Sequence, residues 1–141
     1  MNDAFLGDVR ELVHSMCRNF LGDEIGVELD ARPASGDALW TRIAVYGERP
    51  LLVWVGASRG LLERFSNSVF SGEPYSESDV QDTAREIANI VGGNLKALLA
   101  PSGSMGLPEL CAQGRPQPNA GEREVRLSID GHPMSVLIGL G

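Results

Sequence analysis

An α+β fold is predicted, with helices packed on a largely antiparallel sheet in the order α-β-β-β-α-α-β-β-β. Three observations carry it. Apolar residues recur at helical steps of three and four in three separate stretches. Short segments rich in Val, Ile, Leu and Trp lie between and after those stretches. Two of the connections between such segments read as hairpin turns.

The first helix rests on Phe5, Val9, Leu12, Met16 and Phe20, with Asp3 available as a cap in front and Gly22 as a stop behind. From Ile25 the period shortens. "IGVELDA", "LWTRIAVY" and "LLVWVGA" read as three strands separated by the turn-like "RPASGD" and "GERP", the last two strands forming a hairpin. Ser58 opens a second helix that runs to about Phe70, is expected to bury Leu61, Leu62, Phe65 and Val69, and ends at "SGEP". Ser76 begins the third helix. There "SESD" has the spacing of a capping box, Glu77 and Asp79 suit the positive end of the helix dipole, and Pro101 closes the run. The stretch "PSGSMGLPELCAQGRPQPNAG" is loop-like, with at most one short strand near Leu110. In "EVRLSID", Val125, Leu127 and Ile129 alternate with polar residues, and Asp130-Gly131 turns the chain into "PMSVLIGL". Residues 1–141 are read as a single domain, since a chain of 141 residues can bury roughly two thirds of its unfolded surface in one core.

Composition excludes several function classes. With 12 basic against 19 acidic residues, a net charge of -7 and no basic run, the chain is set against nucleic acid and acidic lipid surfaces. Asp3, Asp8, Arg10 and Glu11 interrupt any signal-like apolar run, and no stretch approaches the roughly 20 apolar residues of a membrane span, so a cytoplasmic protein is expected. Cys17 and Cys111 lack metal-ligand spacing and read as small buried hydrophobes, and neither His14 nor His132 has a local arrangement that suggests a ligand set or a nucleophile's base. Trp40 and Trp54 are most simply core residues.

The third helix is unusual in its middle, "DTAREIANIVGGNLKALLA". Ala84, Ile87, Val91, Leu95 and Leu98 share one face, expected to meet the core, whereas Asp82, Arg85, Glu86, Asn89, Gly93 and Lys96 share the opposite one. A glycine inside a helix costs on the order of 1 kcal/mol against alanine, and asparagine is a mediocre helix former. Two readings are open: Gly92 and Gly93 allow close packing within this chain, or a partner approaches there and uses the amide of Asn89, which can donate and accept at once.

The run "EIANIVGGNLKALL" resembles the signature of the CheX branch of the CheC-type phosphatases of bacterial chemotaxis, E-x-x-N followed by Gly-Asn on a long helix. "AFLGDVRELVHSM", "LLVWVGASRGLLERFSNSVFSGE" and "GLPEL" resemble the same family in order and spacing, while the loop from Ser102 to Arg123 does not otherwise align with it. The resemblance implies a pseudo-twofold fold and hydrolysis of phospho-aspartate on a CheY-like response-regulator receiver of two-component signalling. It implies Asn89 positioning the attacking water, Glu86 pairing with the receiver's lysine, and Gly93, Arg85 and Lys96 meeting the partner. No cofactor of its own is expected; Mg²⁺ would belong to the receiver. An echo of Arg85–Lys96 lies in Arg10–Leu21, where Glu11 matches Glu86, His14 matches Asn89 and Cys17-Arg18 replace the glycines, so one active site is expected rather than two. A homodimer is also expected, because the C-terminal strands alternate cleanly and carry few edge-protecting residues. The alternative to an enzyme is a non-catalytic module that docks on a receiver or sensor.

Overall fold

The computed structural model describes residues 3–30, 32–34, 36–116 and 123–140. Its elements follow the hydrophobic periodicity: α1 (Asp3–Leu21), β1 (Val27–Leu29), β2 (Leu39–Tyr46), β3 (Leu51–Ala57), α2 (Arg59–Val69), α3 (Glu77–Leu99), β4 (Ser104–Met105), β5 (Glu109–Leu110), β6 (Arg123–Ile129) and β7 (His132–Leu140). β2 and β3 coincide with "LWTRIAVY" and "LLVWVGA". Where one short strand near Leu110 was expected there are two, β4 and β5, of two residues each.

All strand pairs are antiparallel, in the order β1-β6-β7-β3-β2-β4, with β5 also on β2. This order is symmetric about the β7–β3 seam, where Leu51 pairs with Leu140 and Ala57 with Met134. Each half supplies a helix, an edge strand and a hairpin: α1, β1 and β2–β3 in one, α3, β4–β5 and β6–β7 in the other. Each edge strand crosses over to pair with the hairpin of the opposite half, β1 on β6 and β4 on β2. The pseudo-twofold expected from the resemblance is therefore present in the topology. The C-terminal strands are not an edge: β7 is central and β6 is flanked on both sides.

Alternation along the strands sends Ile43, Val53, Val55, Val125, Leu127, Ile129, Met134 and Val136 to the helical side, where they meet Val9, Val13, Leu61, Leu62, Phe65, Ile87, Val91 and Leu95 in the main core. The other face is held by a smaller cluster of Trp40, Trp54 and Leu137 with Ala34 and Ala38, and the Arg115 guanidinium lies 5.2 Å over the Trp40 ring. Gly56 lies under that ring, and a Cβ there would be 2.5 Å from its carbons. Both tryptophans are core residues, as expected.

The Asp130-Gly131 turn has φ of 48° and 85°, the left-handed pair that matches the strand twist of a two-residue hairpin. Asp130 also fastens neighbouring elements, accepting from the Gly26 amide at 2.8 Å and from Arg64 on α2 at 2.9 Å. Those two donors, the amide foremost, hold its carboxyl below the usual carboxylate range. Val69, expected in the core, is 49 % exposed at the end of α2, where the chain turns away through Ser71 and Gly72.

Candidate functional site

α3 is anchored at its start. The Ser76 hydroxyl accepts from the Asp79 amide at 3.2 Å and the Asp79 carboxylate accepts from the Ser76 amide at 2.8 Å, which completes the capping box read from the sequence. Val80, Ala84, Ile87, Ala88, Val91, Gly92 and Leu95 are buried, and the stripe continues to Leu99, which packs on the core. That drift carries Leu98, expected inside, out to 46 % exposure.

The glycine pair divides between its two readings. Gly92 is buried, and a Cβ there would come 3.0 Å from Ile43 Cδ1, so this glycine lets α3 lie close on β2. Gly93 is different: a Cβ there would meet only Met105 Cε, at 3.9 Å. No internal packing requires it. Gly93→Ala should therefore stabilise the protein by about 0.5–1 kcal/mol through helix propensity alone, read as a higher midpoint in thermal unfolding.

Glu86 is exposed and Asn89 half-buried, one turn apart on the face that also carries Gly93. Among the described residues, neither side chain has a hydrogen-bond or ion-pair partner. The neighbours assigned to partner contact are engaged within the chain. Arg85 pairs with Asp82 at 2.6 Å, and Lys96 donates to the Pro101 carbonyl at 3.2 Å, closing the end of the helix. Asn94 is exposed and donates to the Ile90 carbonyl at 2.8 Å, an internal helix bond.

Beside Glu86 lies a hollow of about 260 Å³ between α1, α2 and α3, lined by Phe20, Phe65, Val69, Phe70, Thr83 and Ile87 and by the carboxylates of Asp79, Asp82 and Glu86. Sequence reasoning missed it. The one signal was a large apolar residue, Val69, at the very end of a short amphipathic helix, where burial is least secure.

The patch can hold a cation at Glu86 and a polarised small molecule such as water at Asn89. Among the described residues no group of three His, Cys, Asp or Glu side chains could hold a metal ion, and none of the helices is long and apolar enough to cross a membrane. Burial pushes the Cys17 thiol up to about 12 and raises that of half-buried Cys111, so neither is an activated nucleophile. The His132 ring lies against Gly60, where a Cβ would come 2.7 Å from its Nδ1.

The echo in α1 follows the topology. Val9, Val13, Met16 and Cys17 are its buried residues, and their counterparts Ala84, Ala88, Val91 and Gly92 are all buried in α3. Glu11 is exposed like Glu86 but paired with Arg10 at 2.8 Å, and Arg18 projects where α3 has Gly93.

A family model described as "Chemotaxis phosphatase CheX" matches residues 40–130. Among curated proteins no relative matches. Solved structures share the fold at low identity. Chemotaxis protein CheX from Vibrio vulnificus has a TM-score of 0.75 at 16 % identity, covering 97 % of this chain and 96 % of that one. A CheC-like superfamily protein from Shewanella sp. PV-4 gives 0.74 at 16 %, covering 100 % and 99 %. The CheX-CheY-BeF3-Mg²⁺ complex from Borrelia burgdorferi gives 0.67 at 14 %, covering 96 % and 97 %.

Proposed function

Because the chain belongs to the CheX family of chemotaxis phosphatases, we propose that it hydrolyses the phospho-aspartate of a CheY-like receiver domain, with Asn89 positioning the attacking water and Glu86 docking on the receiver's lysine. The observation that carries this reading is a carboxylate and a carboxamide one helical turn apart, unengaged among the described residues, beside a glycine whose added Cβ would meet only Met105 Cε at 3.9 Å. The similar Borrelia burgdorferi protein was crystallised with CheY, BeF3 and Mg²⁺. The proposal places the metal in the receiver and the work in the cytoplasm.

Such a reaction asks little of this chain. A receiver brings its own aspartyl phosphate, metal and lysine, so what is missing is a water held in line with the leaving carboxylate oxygen. The Asn89 oxygen accepts a hydrogen bond from the water, its amide group donates toward the phosphoryl oxygens, and the water's protons leave with the phosphate. The water oxygen forms the new bond to phosphorus as the bond to the aspartate oxygen breaks, releasing inorganic phosphate and the free carboxylate. Arg85 and Lys96 take part as surface cations. The exposed Arg85–Asp82 pair contributes at most about 1 kcal/mol, so exchanging partners costs little.

Phosphorylated receivers from the same organism, mixed with this protein and Mg²⁺, should lose phosphate faster than alone. A receiver that binds yet keeps its phosphate would make the chain a docking module instead. The homodimer belongs to the proposal too, now through β1 or the β4–β5 edge rather than the C-terminal strands. Sedimentation should give a dimer at micromolar concentration, and a monomer alone removes it.

A further inference from the structure

We infer that the hollow between α1, α2 and α3 is a second contact point for the receiver, taking an apolar side chain flanked by a basic residue; this deepens the function proposed above and rests on it. Its position comes first. Glu86 belongs both to the patch that carries Asn89 and to the rim of the hollow, so anything that docks along this face of α3 reaches the hollow without a gap.

The hollow is preformed. Phe20 and Phe65 pack with ring centroids 5.2 Å apart, and the Ser68 hydroxyl donates to the Phe20 carbonyl, fixing α2 to the end of α1. Phe70 is stacked on Tyr75 at 5.9 Å. The turn after α2 is closed by the Gly72 amide donating to Asn67 at 3.0 Å, with Ser71 and Gly72 in the left-handed region. Val69 stands at the mouth, 49 % exposed, an apolar surface left in water by this chain alone.

Its chemistry selects the occupant. The interior is apolar, Asp79, Asp82 and Glu86 stand on the rim, and among the described residues no Lys or Arg lines it. Asp79 is held by the capping box and Asp82 by Arg85, which leaves Glu86 open to an incoming cation. A second copy of a chain with net charge -7 brings mostly like charge to this rim, whereas a receiver offering its lysine to Glu86 brings the opposite sign. The space suits a side chain the size of Leu, Met or Phe, and the cation beside it answers the rim.

The test uses the full protein and a receiver whose dephosphorylation it accelerates, loaded with beryllofluoride and Mg²⁺. Amide exchange in the parent protein should slow at residues 65–72 as well as along α3. Val69→Lys should raise KM for the phospho-receiver about tenfold or more, with the loss falling on KM rather than kcat, while Val69→Leu stays near the parent. Protection confined to α3, or an unchanged KM for Val69→Lys, overturns the second contact and leaves the proposed function standing. Protection of 65–72 that grows with protein concentration without receiver gives the hollow to a second copy and also overturns it. If the parent accelerates dephosphorylation of no receiver, the function itself fails.

Discussion

Asn89→Ala should bind an activated receiver as tightly as the parent and lose about a hundredfold of its acceleration, because a misplaced reactant alone can cost that much. The variant is a clean test. Asn89 is half-buried, has no side-chain partner among the described residues, and gives way to a better helix former, so neither the fold nor α3 is disturbed. Loss restricted to kcat would assign the amide to a contact made in the transition state. Dephosphorylation at the parental rate would reduce Asn89 to a surface residue.

Glu86→Ala should behave differently, weakening both receiver affinity and hydrolysis. Its carboxylate has no partner among the described residues, so its electrostatic value is available to a receiver. Truncating one side of a charge pair desolvated at an interface costs about 2 to 5 kcal/mol, much of it from the cation left without a counter-charge. Affinity of the parent should fall with added salt, and that dependence should be shallower in Glu86→Ala. Equal affinity of parent and variant at low salt would remove the docking role. Since Glu86 and Asn89 are neighbours acting on one partner, their double variant should depart from additivity.

The strands and helices were legible where periodicity had length to act. β2 and β3 span eight and seven residues with inward Val and Ile set against outward partners, and their bounds follow from the residues alone. The third helix was equally legible, because Ser76 and Asp79 stand at capping-box spacing. Strands of two residues have no period, so β4 and β5 were invisible as a pair. Sheet order was the larger gap: nothing local states that β7 pairs with β3, and the reading of the C-terminal strands as an edge failed for that reason. Within the site, residue types pointed to Glu86 and Asn89. Adjacent positions of a helix differ by about 100°, and only coordinates separate Gly92, pressed on Ile43, from Gly93, facing outward. Val69 and Leu98 strayed because a helix's buried stripe is set by the elements it meets.

The β3–β7 seam governs how the chain reaches this state. The last strand is the middle of the sheet, and each edge strand waits for a hairpin from the opposite half. A nascent chain that has completed α1, β1, the β2–β3 hairpin and all of α3 still has an open flank on β3 and no partner for β1. Loop-closure entropy must be met across most of the chain before those pairings give anything back, which sets folding in the slow, high-contact-order regime. Neither half is a foldable unit by itself, so the duplicated topology behaves as one cooperative body, and a chain stopped before β7 presents an unpaired, apolar strand to its neighbours.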